Sequence, residues 1–326
     1  MVSVYSQAMD PFLHVATTPN KSTFVNLLYL PVAIVKYLYF LCVRPIEIIH
    51  IHSASRNSFL RKSIFVLLGS IFRKKIILHI HSGHFEGWFL QNRRYVNFIL
   101  LHVDLMIGLS ESMVRFFNEE LGHSSVVMLG NPVPKPNNAR QSSRFAGVHA
   151  LFLGDVIEQK GVFDLVDAVS KLPRIIRKGL RITIGGNGEL RKLEAMISEA
   201  GLEEVFELAG WVVGAEKKRL FSTCDFYILP SYHEGLPVSI IEAMSYGMPI
   251  LSTSVGGIPE IVIDGENGRL VEPGNVEELT FALEWFITHP DTLLSMGMNS
   301  LKRGEEFYSP KVIEKLEYIY IALLED

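Results

Sequence analysis

Short apolar runs alternate with amphipathic segments along the chain. The first part contains four runs rich in Ile, Val and Leu and nearly continuous in apolar residues, as is typical of parallel strands buried on both faces. They cover residues 46–55, 74–84, 103–110 and 126–133. Helical periodicity follows over 57–72 and 89–102, and Ser110 is positioned to cap a further helix. This order predicts a parallel α/β sheet.

The same alternation continues in the second part of the chain. The predicted strands there cover 149–155, 180–186, 205–210, 224–231 and 249–255. Helical segments separate them, and the chain is mostly helical from about residue 276. Alternating strands and helices at this spacing favour right-handed crossovers. We therefore predict two doubly wound α/β domains, whose ligands bind outside the carboxyl ends of the strands, in a cleft between the domains.

A proline-rich polar segment, 132–145, is the best linker in the chain. We predict domains over 1–140 and 146–305, with a C-terminal helix, 306–326, that can pack back on the first domain. Charge changes sign at the linker: residues 1–145 carry 15 Lys and Arg against 7 Asp and Glu, and the remainder carries 16 against 28. The basic first part is equally consistent with binding to an anionic membrane surface and with an ordinary solvated helix face.

The apolar stretch 24–43 is as long as a membrane-spanning helix. Asn26, Pro31 and Lys36 interrupt it, and a charge near the bilayer centre costs about 3 kcal/mol. A buried or interfacial helix is therefore the favoured interpretation. The opening residues lack a signal-peptide pattern, and Cys42 and Cys224 match no metal or redox spacing. We predict a cytoplasmic protein, peripheral at the inner face of the cell membrane.

Three loops follow predicted strands and share a chemical character. The loop 153–161 places Lys160 before a helix, 184–190 is rich in glycine, and 229–237 leads into a helix whose first amides suit a phosphate. A lysine and a helix N-terminus facing one pocket suit a diphosphate. The glycines do not form G-x-G-x-x-G, so a dinucleotide dehydrogenase is poorly supported. A nucleic-acid ligand is not expected.

The segment "SYHEGLPVSIIEAMSYGMPILSTSVGGIPEIV" (231–262) resembles the signature of glycosyltransferase family 4. Members of that family are retaining nucleotide-sugar enzymes with the GT-B fold, two Rossmann-like domains facing across a cleft. The family's two glutamates fall on Glu234 and Glu242. The segments "HIHSAS", "SFLRKS" and "HIHSGHF" are similar to those of bacterial exopolysaccharide and capsule enzymes. The resemblance implies a UDP- or GDP-sugar donor and a glycan acceptor, expected to be lipid-linked.

The resemblance also implies roles for individual residues. Glu234 would contact the donor sugar, Glu242 the ribose and Lys160 the diphosphate, and His81 would approach the sugar from the first domain. The remaining donor-binding residues would be Gly186, Gly210, Trp211, Gly235, Leu236, Pro237 and Val238. Catalysis is assigned to Glu234 and His81, with a donor phosphate oxygen as the base. Eight residues along a helix span about 12 Å, whereas the two carboxyls of a retaining glycosidase lie roughly 5 Å apart. This spacing favours two glutamates that bind different parts of one extended ligand.

Simpler interpretations stand beside these. Glu242 could be a helix acid that complements the dipole, worth about 0.3–1 kcal/mol. The first-domain histidines could be a metal cluster, but no carboxylate or cysteine lies at ligand spacing, so packed strand residues are favoured. They are His50, His52, His79, His81 and His84. The chain also has no Asp-x-Asp pair. We therefore expect neither a metal nor another cofactor.

The chain departs from the family pattern at two places. Asp155 stands where the family often carries arginine, which puts that contact with the diphosphate in doubt. No glycine precedes Gly69, although the family usually opens with a strand and a glycine-rich loop. Residues 2–6 and 13–18 could be remnants of early strands, or the start could be truncated. The alternative functions are a catalytically weak GT-B protein that acts as a partner of another transferase, and a GT-B epimerase or phosphorylase.

Overall fold

The computed structural model describes residues 5, 12–17, 23–83, 85–122, 125–136 and 145–325. The chain divides into two compact units. The first comprises Met1–Pro132 with Ser309–Asp326, and the second comprises Val133–Tyr308. The division thus falls at the first residue of the proline-rich segment 132–145, of which 137–144 lie outside the described residues.

The first unit is built on a four-stranded parallel sheet of order β1-β2-β3-β4. The strands are β1 Ile48–Ser53, β2 Lys75–Ile80, β3 Leu105–Gly108 and β4 Val126–Met128. All four lie within the apolar runs that predicted them. The inner strands β2 and β3 are buried almost throughout, as expected of parallel strands covered on both faces.

Helices alternate with these strands. They are α1 Thr23–Val43, α2 Asn57–Ile71, α3 Phe85–Gln91, α4 Arg93–Leu100 and α5 Glu111–Leu121. The predicted cap of α5 is confirmed, since Ser110 Oγ accepts a hydrogen bond from Met113 N at 3.3 Å. The helical segment predicted around 89–102 is helical over most of its length, but it is divided between two helices. Asn92 leaves the helical conformation, with ψ at 24°, and divides the segment into α3 and α4.

Helix α1 lies over the predicted stretch 24–43. Ala33, Tyr37 and Leu41 recur at helical spacing and are buried, and Tyr37 Oη donates to Phe65 O of α2 at 2.9 Å. Within the described part of the chain, no helix is both long enough and apolar enough to cross a membrane. Residues 13–17 form irregular structure, so the suggested strand remnant is wrong there, and of residues 2–6 only Tyr5 is described.

The second unit contains a six-stranded parallel sheet of order β10-β9-β8-β5-β6-β7. Its strands are β5 Val148–Leu153, β6 Leu180–Gly185, β7 Phe206–Gly210, β8 Phe226–Leu229, β9 Ile250–Thr253 and β10 Gly268–Val271. From β5 the chain builds outward through β6 and β7, then crosses back to β8 and builds the other side. The strand order therefore reverses between β5 and β8, and this doubly wound sheet confirms the predicted fold class.

Helices connect these strands. They are α6 Val162–Lys171, α7 Arg174–Arg177, α8 Leu190–Glu199, α9 Gly214–Thr223, α10 Val238–Ser245, α11 Ile258–Ile261, α12 Val276–Thr288 and α13 Pro290–Gly304. Short 3-10 turns cover Glu158–Lys160 and Glu305–Phe307. The central strands β8 and β9 are buried at every position, so the side chains that reach solvent come from the loops at the strand ends.

The last helix, α14 Ser309–Glu325, belongs to the first unit. Its buried residues Val312, Leu316 and Leu323 form one core cluster with apolar residues of the first sheet. Those sheet residues are Ile77, Leu105, Ile107 and the neighbouring Leu129. The chain thus returns to its first unit after completing the second.

Candidate functional site

The point where the second sheet reverses is where the predicted loops meet. Strands β5 and β8 are neighbours and parallel, so the loops that follow them emerge at the same edge of the sheet. The loop after β5 runs to Lys160, and the loop after β8 runs to the start of α10. Open α/β sheets bind their ligands at such a reversal. Both loops were selected from sequence as ligand-binding.

Lys160 and Glu234 form an ion pair across these two loops. Lys160 Nζ lies 2.5 Å from Glu234 Oε1, and Ser231 Oγ donates to the same oxygen at 2.8 Å. The Glu234 side chain is 10% exposed and that of Lys160 is 25% exposed. A carboxylate with so little access to water needs such partners, because burial of an unpaired charge is costly. Two residues predicted to contact one donor are therefore in direct contact.

Backbone contacts hold the two loops at this separation. Tyr232 N donates to Gln159 O at 2.9 Å, which ties the turn before Lys160 to the loop after β8. Gly161 follows Lys160 with φ at 66°, in the left-handed region. A Cβ atom on Gly161 would lie 2.0 Å from Pro230 O. Only glycine combines this conformation with such a close approach.

A third loop, after β9, supports the turn that carries Glu234. Gly257 N donates to Gly235 O at 2.7 Å. Gly256 has φ at 54°, and a Cβ atom there would lie 2.0 Å from Glu234 O. Gly256 of the "GGIPE" segment thus allows the backbone to pack directly against Glu234 O, and the backbone N–H of Gly257 adds a hydrogen bond to Gly235 O. This contact gives a structural reason for that part of the family-like signature.

The second glutamate lies inside α10, as predicted. The helix follows Pro237 and begins at Val238, and no side chain caps its N-terminus. Glu242 Oε2 lies 2.6 Å from Lys217 Nζ of α9. Lys217 Nζ also lies 5.8 Å from the centroid of the Phe221 ring. Glu242 is therefore held by a lysine from the neighbouring helix.

Both glutamates act on the same buried tyrosine. Tyr227 of β8 donates through Oη to Leu153 O of β5 at 2.8 Å. Burial raises the pKa of Tyr227 well above its usual range, and the charges of Glu242 and Glu234 raise it further. The charges of both carboxylates therefore reach Tyr227.

The remaining predicted residues of this unit lie at the same edge. Gly186 directly follows β6, and Gly210 is the last residue of β7. Gly186 N donates to Gly210 O at 2.7 Å. A Cβ on Gly186 would lie 1.8 Å from Gly154 O, so the packing of adjacent loops requires glycine there. Trp211 is 61% exposed. Asp155 is also exposed, in the loop after β5.

His81 lies in the first unit, directly after β2. Its Nε2 is 2.8 Å from His52 Nδ1, and its backbone N donates to Ser53 O at 2.8 Å. Burial lowers the pKa of His81 to about 4; Asn131 opposes this shift and Lys62 adds to it. The ring is therefore neutral near pH 7. His84, the last histidine of the predicted group, lies outside the described residues.

Sequence reasoning missed Lys217 and Ser231, each of which contacts one of the two glutamates. Ser231 stands three residues before Glu234, inside the quoted signature, so its proximity could have been anticipated. Lys217 is 25 residues from Glu242 and on a different helix. No local pattern relates those two positions, and only the packing of α9 beside α10 brings them together.

Comparison with known proteins identifies the family. Residues 139–303, just over half of the chain, match the model of the glycosyl transferases group 1. An uncharacterised glycosyltransferase of Methanocaldococcus jannaschii is 27% identical over 287 residues, which cover 85% of this chain and 76% of that protein. A Salmonella typhimurium glycosyltransferase named for colanic acid biosynthesis is 32% identical over 167 residues, 48% of this chain and 41% of that protein.

The fold is also that of known transferases. The crystal structure of Anabaena HepE in complex with UDP-glucose superposes with a TM-score of 0.76 at 19% identity, covering 98% of this chain and 88% of that one. At this identity the likeness concerns the fold alone, and that fold is GT-B. The family match, the named relatives and the two parallel sheets agree. The chain belongs to the group 1 glycosyltransferases.

Proposed function

We propose that the chain is a retaining hexosyltransferase of family 4, which moves a sugar from a UDP- or GDP-sugar to a growing, lipid-linked glycan in polysaccharide assembly. The observation that carries the proposal is the Lys160–Glu234 pair at the reversal of the second sheet. The pair stands beside the start of α10, and Glu242 lies inside that helix. A cation, helix amides and two carboxylates match the parts of a nucleotide sugar.

Each group has a part of the donor to bind. Lys160 and the backbone amides of Gly235, Leu236 and Val238, with Pro237 shaping the turn, hold the diphosphate. Glu242 accepts hydrogen bonds from the ribose hydroxyls, and Gly186, Gly210 and Trp211 border the base. In the free protein Lys160 neutralises Glu234 and Lys217 neutralises Glu242. Donor binding transfers Lys160 to the diphosphate and leaves Glu234 for the sugar.

The transfer is a substitution at the anomeric carbon of the donor. The bond from that carbon to the phosphate oxygen breaks, and the acceptor hydroxyl oxygen bonds to the same face. The hydroxyl proton passes to the donor phosphate oxygen, so the nucleoside diphosphate leaves with it. Glu234 stabilises positive charge at the anomeric carbon. Lys160 and the helix amides balance the leaving phosphate charge, so the step needs no metal ion or other cofactor.

The relatives support the choice of substrates. HepE is a GT-B protein whose crystal structure contains UDP-glucose, and the Salmonella relative is named for an exopolysaccharide. The match spans 41% of that relative's length, so this relative supports the glycan part of the proposed acceptor and not its lipid.

Nucleotide binding tests the donor site. We expect UDP or GDP, and the matching nucleotide sugar, to bind by calorimetry, and Glu242→Ala to weaken binding about 10- to 100-fold. A hydrogen bond to a charged group is worth about 1.5–3 kcal/mol, which gives that range. Glu194→Ala is the matched control, because Glu194 is an exposed glutamate inside α8 of the same unit. The nucleotide affinity of Glu194→Ala should equal that of the wild type.

Three outcomes separate the functions. Failure of every nucleotide sugar to bind, or equal affinities for Glu242→Ala and Glu194→Ala, would overturn the transferase proposal. Normal donor binding without transfer to any glycan, and without donor hydrolysis, would favour a catalytically weak partner of another transferase. Donor binding together with release of the sugar would agree with the transferase proposal.

We also propose that the first unit rests on an anionic membrane surface. On the side of α1 away from its buried residues, Val32, Val35, Tyr39 and Val43 are exposed and Lys36 lies among them. An apolar helix face with basic charge suits an interfacial position. We expect sedimentation with phosphatidylglycerol vesicles, weaker binding to phosphatidylcholine, and loss of binding in Val35→Asp. The control Phe281→Asp removes an equally exposed apolar side chain of the second unit; equal binding of both variants would contradict the proposal.

A further inference from the structure

Four histidines share one face of the first sheet. His50 and His52 lie on β1, His79 on β2 and His81 just after it. In the parallel register His52 pairs with His79. Because side chains alternate along a strand, residues two apart project to the same face. The His50 and His52 rings stack with centroids 4.3 Å apart, and the His79 and His81 rings lie tilted with centroids 4.1 Å apart.

Three of these rings converge on one point. Each of His50, His52 and His79 offers one ring nitrogen, and these three nitrogens all lie within 4.8 Å of one another. His50 Nε2 is 3.2 Å from His79 Nδ1. Two imidazole nitrogens bound to a tetrahedral zinc ion, at 2.0–2.1 Å from it, stand about 3.3 Å apart. The observed separation therefore matches two ligands of one ion.

Neighbouring groups orient two of the rings. His50 Nδ1 is hydrogen-bonded to Tyr320 Oη of α14 at 2.7 Å, and His52 Nδ1 to His81 Nε2 at 2.8 Å. Each contact occupies Nδ1 and leaves Nε2 for a ligand bond. Histidines that bind metals usually have their other nitrogen held in this way, which fixes the ring and its tautomer. Tyr5 also stacks on His52, with centroids 5.8 Å apart.

The donor set selects a class of ion. Three imidazole nitrogens suit Zn²⁺ and its neighbours Co²⁺, Ni²⁺ and Cu²⁺, whereas Mg²⁺ and Ca²⁺ prefer oxygen ligands. We propose that His50, His52 and His79 bind one divalent transition-metal ion of the zinc class, held between β1 and β2. The ion joins two adjacent strands and, through Tyr320, the C-terminal helix. Three imidazole ligands leave the fourth position of the ion to a water molecule. The ion would hold β1, β2 and the C-terminal helix together, and its binding can be tested without a substrate.

Direct metal binding tests the site. The full-length chain, purified without a polyhistidine tag and freed of metal by a chelator, is titrated with Co²⁺. We expect one equivalent to bind, with the intense visible absorption of four-coordinate Co²⁺, and Zn²⁺ to displace it. Zn²⁺ should also raise the Tm, because an ion that binds the folded chain stabilises it. Absence of stoichiometric binding by the wild-type chain overturns the proposal whatever the variants do.

Variants then locate the ion. His50→Gln and His52→Gln should each lose the Co²⁺ absorption and the Tm rise. Tyr320→Phe should retain the site but bind about 10- to 100-fold more weakly, as when an orienting partner is removed. The control is His102→Gln in the same unit, since the His102 ring is hydrogen-bonded to Ser70 instead. Binding by His50→Gln and His52→Gln equal to that of His102→Gln would place the ion elsewhere and overturn the assignment.

Discussion

Glu234→Gln is expected to lower kcat for sugar release from the nucleotide donor by about 10²- to 10³-fold. This is the usual cost of removing one group that stabilises charge in a transition state. Glutamine keeps the size of the side chain but removes the charge proposed to face the anomeric carbon. The measurement is release of nucleoside diphosphate from the donor, with or without a glycan acceptor.

The affinity of Glu234→Gln for UDP or GDP should not fall together with its kcat. In the free protein Lys160 Nζ is bound to Glu234, so a diphosphate must compete with that carboxylate. Glu234→Gln removes the competitor, and nucleotide affinity is expected to stay equal or increase. Lys160→Met removes the cation and should weaken the same affinity about tenfold or more.

A loss of kcat without a loss of nucleotide affinity in Glu234→Gln distinguishes a group at the reaction centre from a structural ion pair. A purely structural pair would lose activity and affinity together in both variants, along with thermal stability. A kcat of Glu234→Gln within threefold of wild type, in a variant that melts normally, would contradict the assigned role. Melting temperatures are therefore measured for both variants alongside the kinetics.

Gly161→Ala is expected to destabilise the second unit by about 2–5 kcal/mol. A non-glycine residue in the left-handed region costs about 1–2 kcal/mol, and overpacking against fixed neighbours adds about 1–3 kcal/mol. The new Cβ would meet Pro230 O at 2.0 Å. For a unit of this size each kcal/mol lowers Tm by about 2–4 °C, so calorimetry should resolve the change. Displacement of Lys160 should also weaken nucleotide binding.

Gly201→Ala separates the two contributions. Gly201 has φ at 62°, nearly that of Gly161, but a Cβ there would meet nothing within 4 Å. The control should therefore lose only the 1–2 kcal/mol of backbone strain and keep full nucleotide affinity. Equal destabilisation by both substitutions would show that the contact with Pro230 O does not matter.

Much of the fold could be predicted because it rests on local patterns. The predicted apolar runs correspond to nine of the ten described strands, all but β10, and the helix signals near Ser110 and Pro237 mark where α5 and α10 begin. The division of the helical segment 89–102 at Asn92 was not predicted, because no proline or glycine marks it in the sequence. The signature 231–262 likewise identified Glu234 and Glu242 as a pair.

The sequence by itself determined the class of fold, the family resemblance and the two carboxylates, because each is written in residues close together in the chain. Tertiary structure decided which partners hold those carboxylates. Lys160 is 74 residues from Glu234 and Lys217 is 25 from Glu242. It also decided that ring nitrogens of three histidines from two strands lie within 4.8 Å of one another. These contacts depend on strand order and register, which arise from packing the whole sheet, and no local periodicity encodes them.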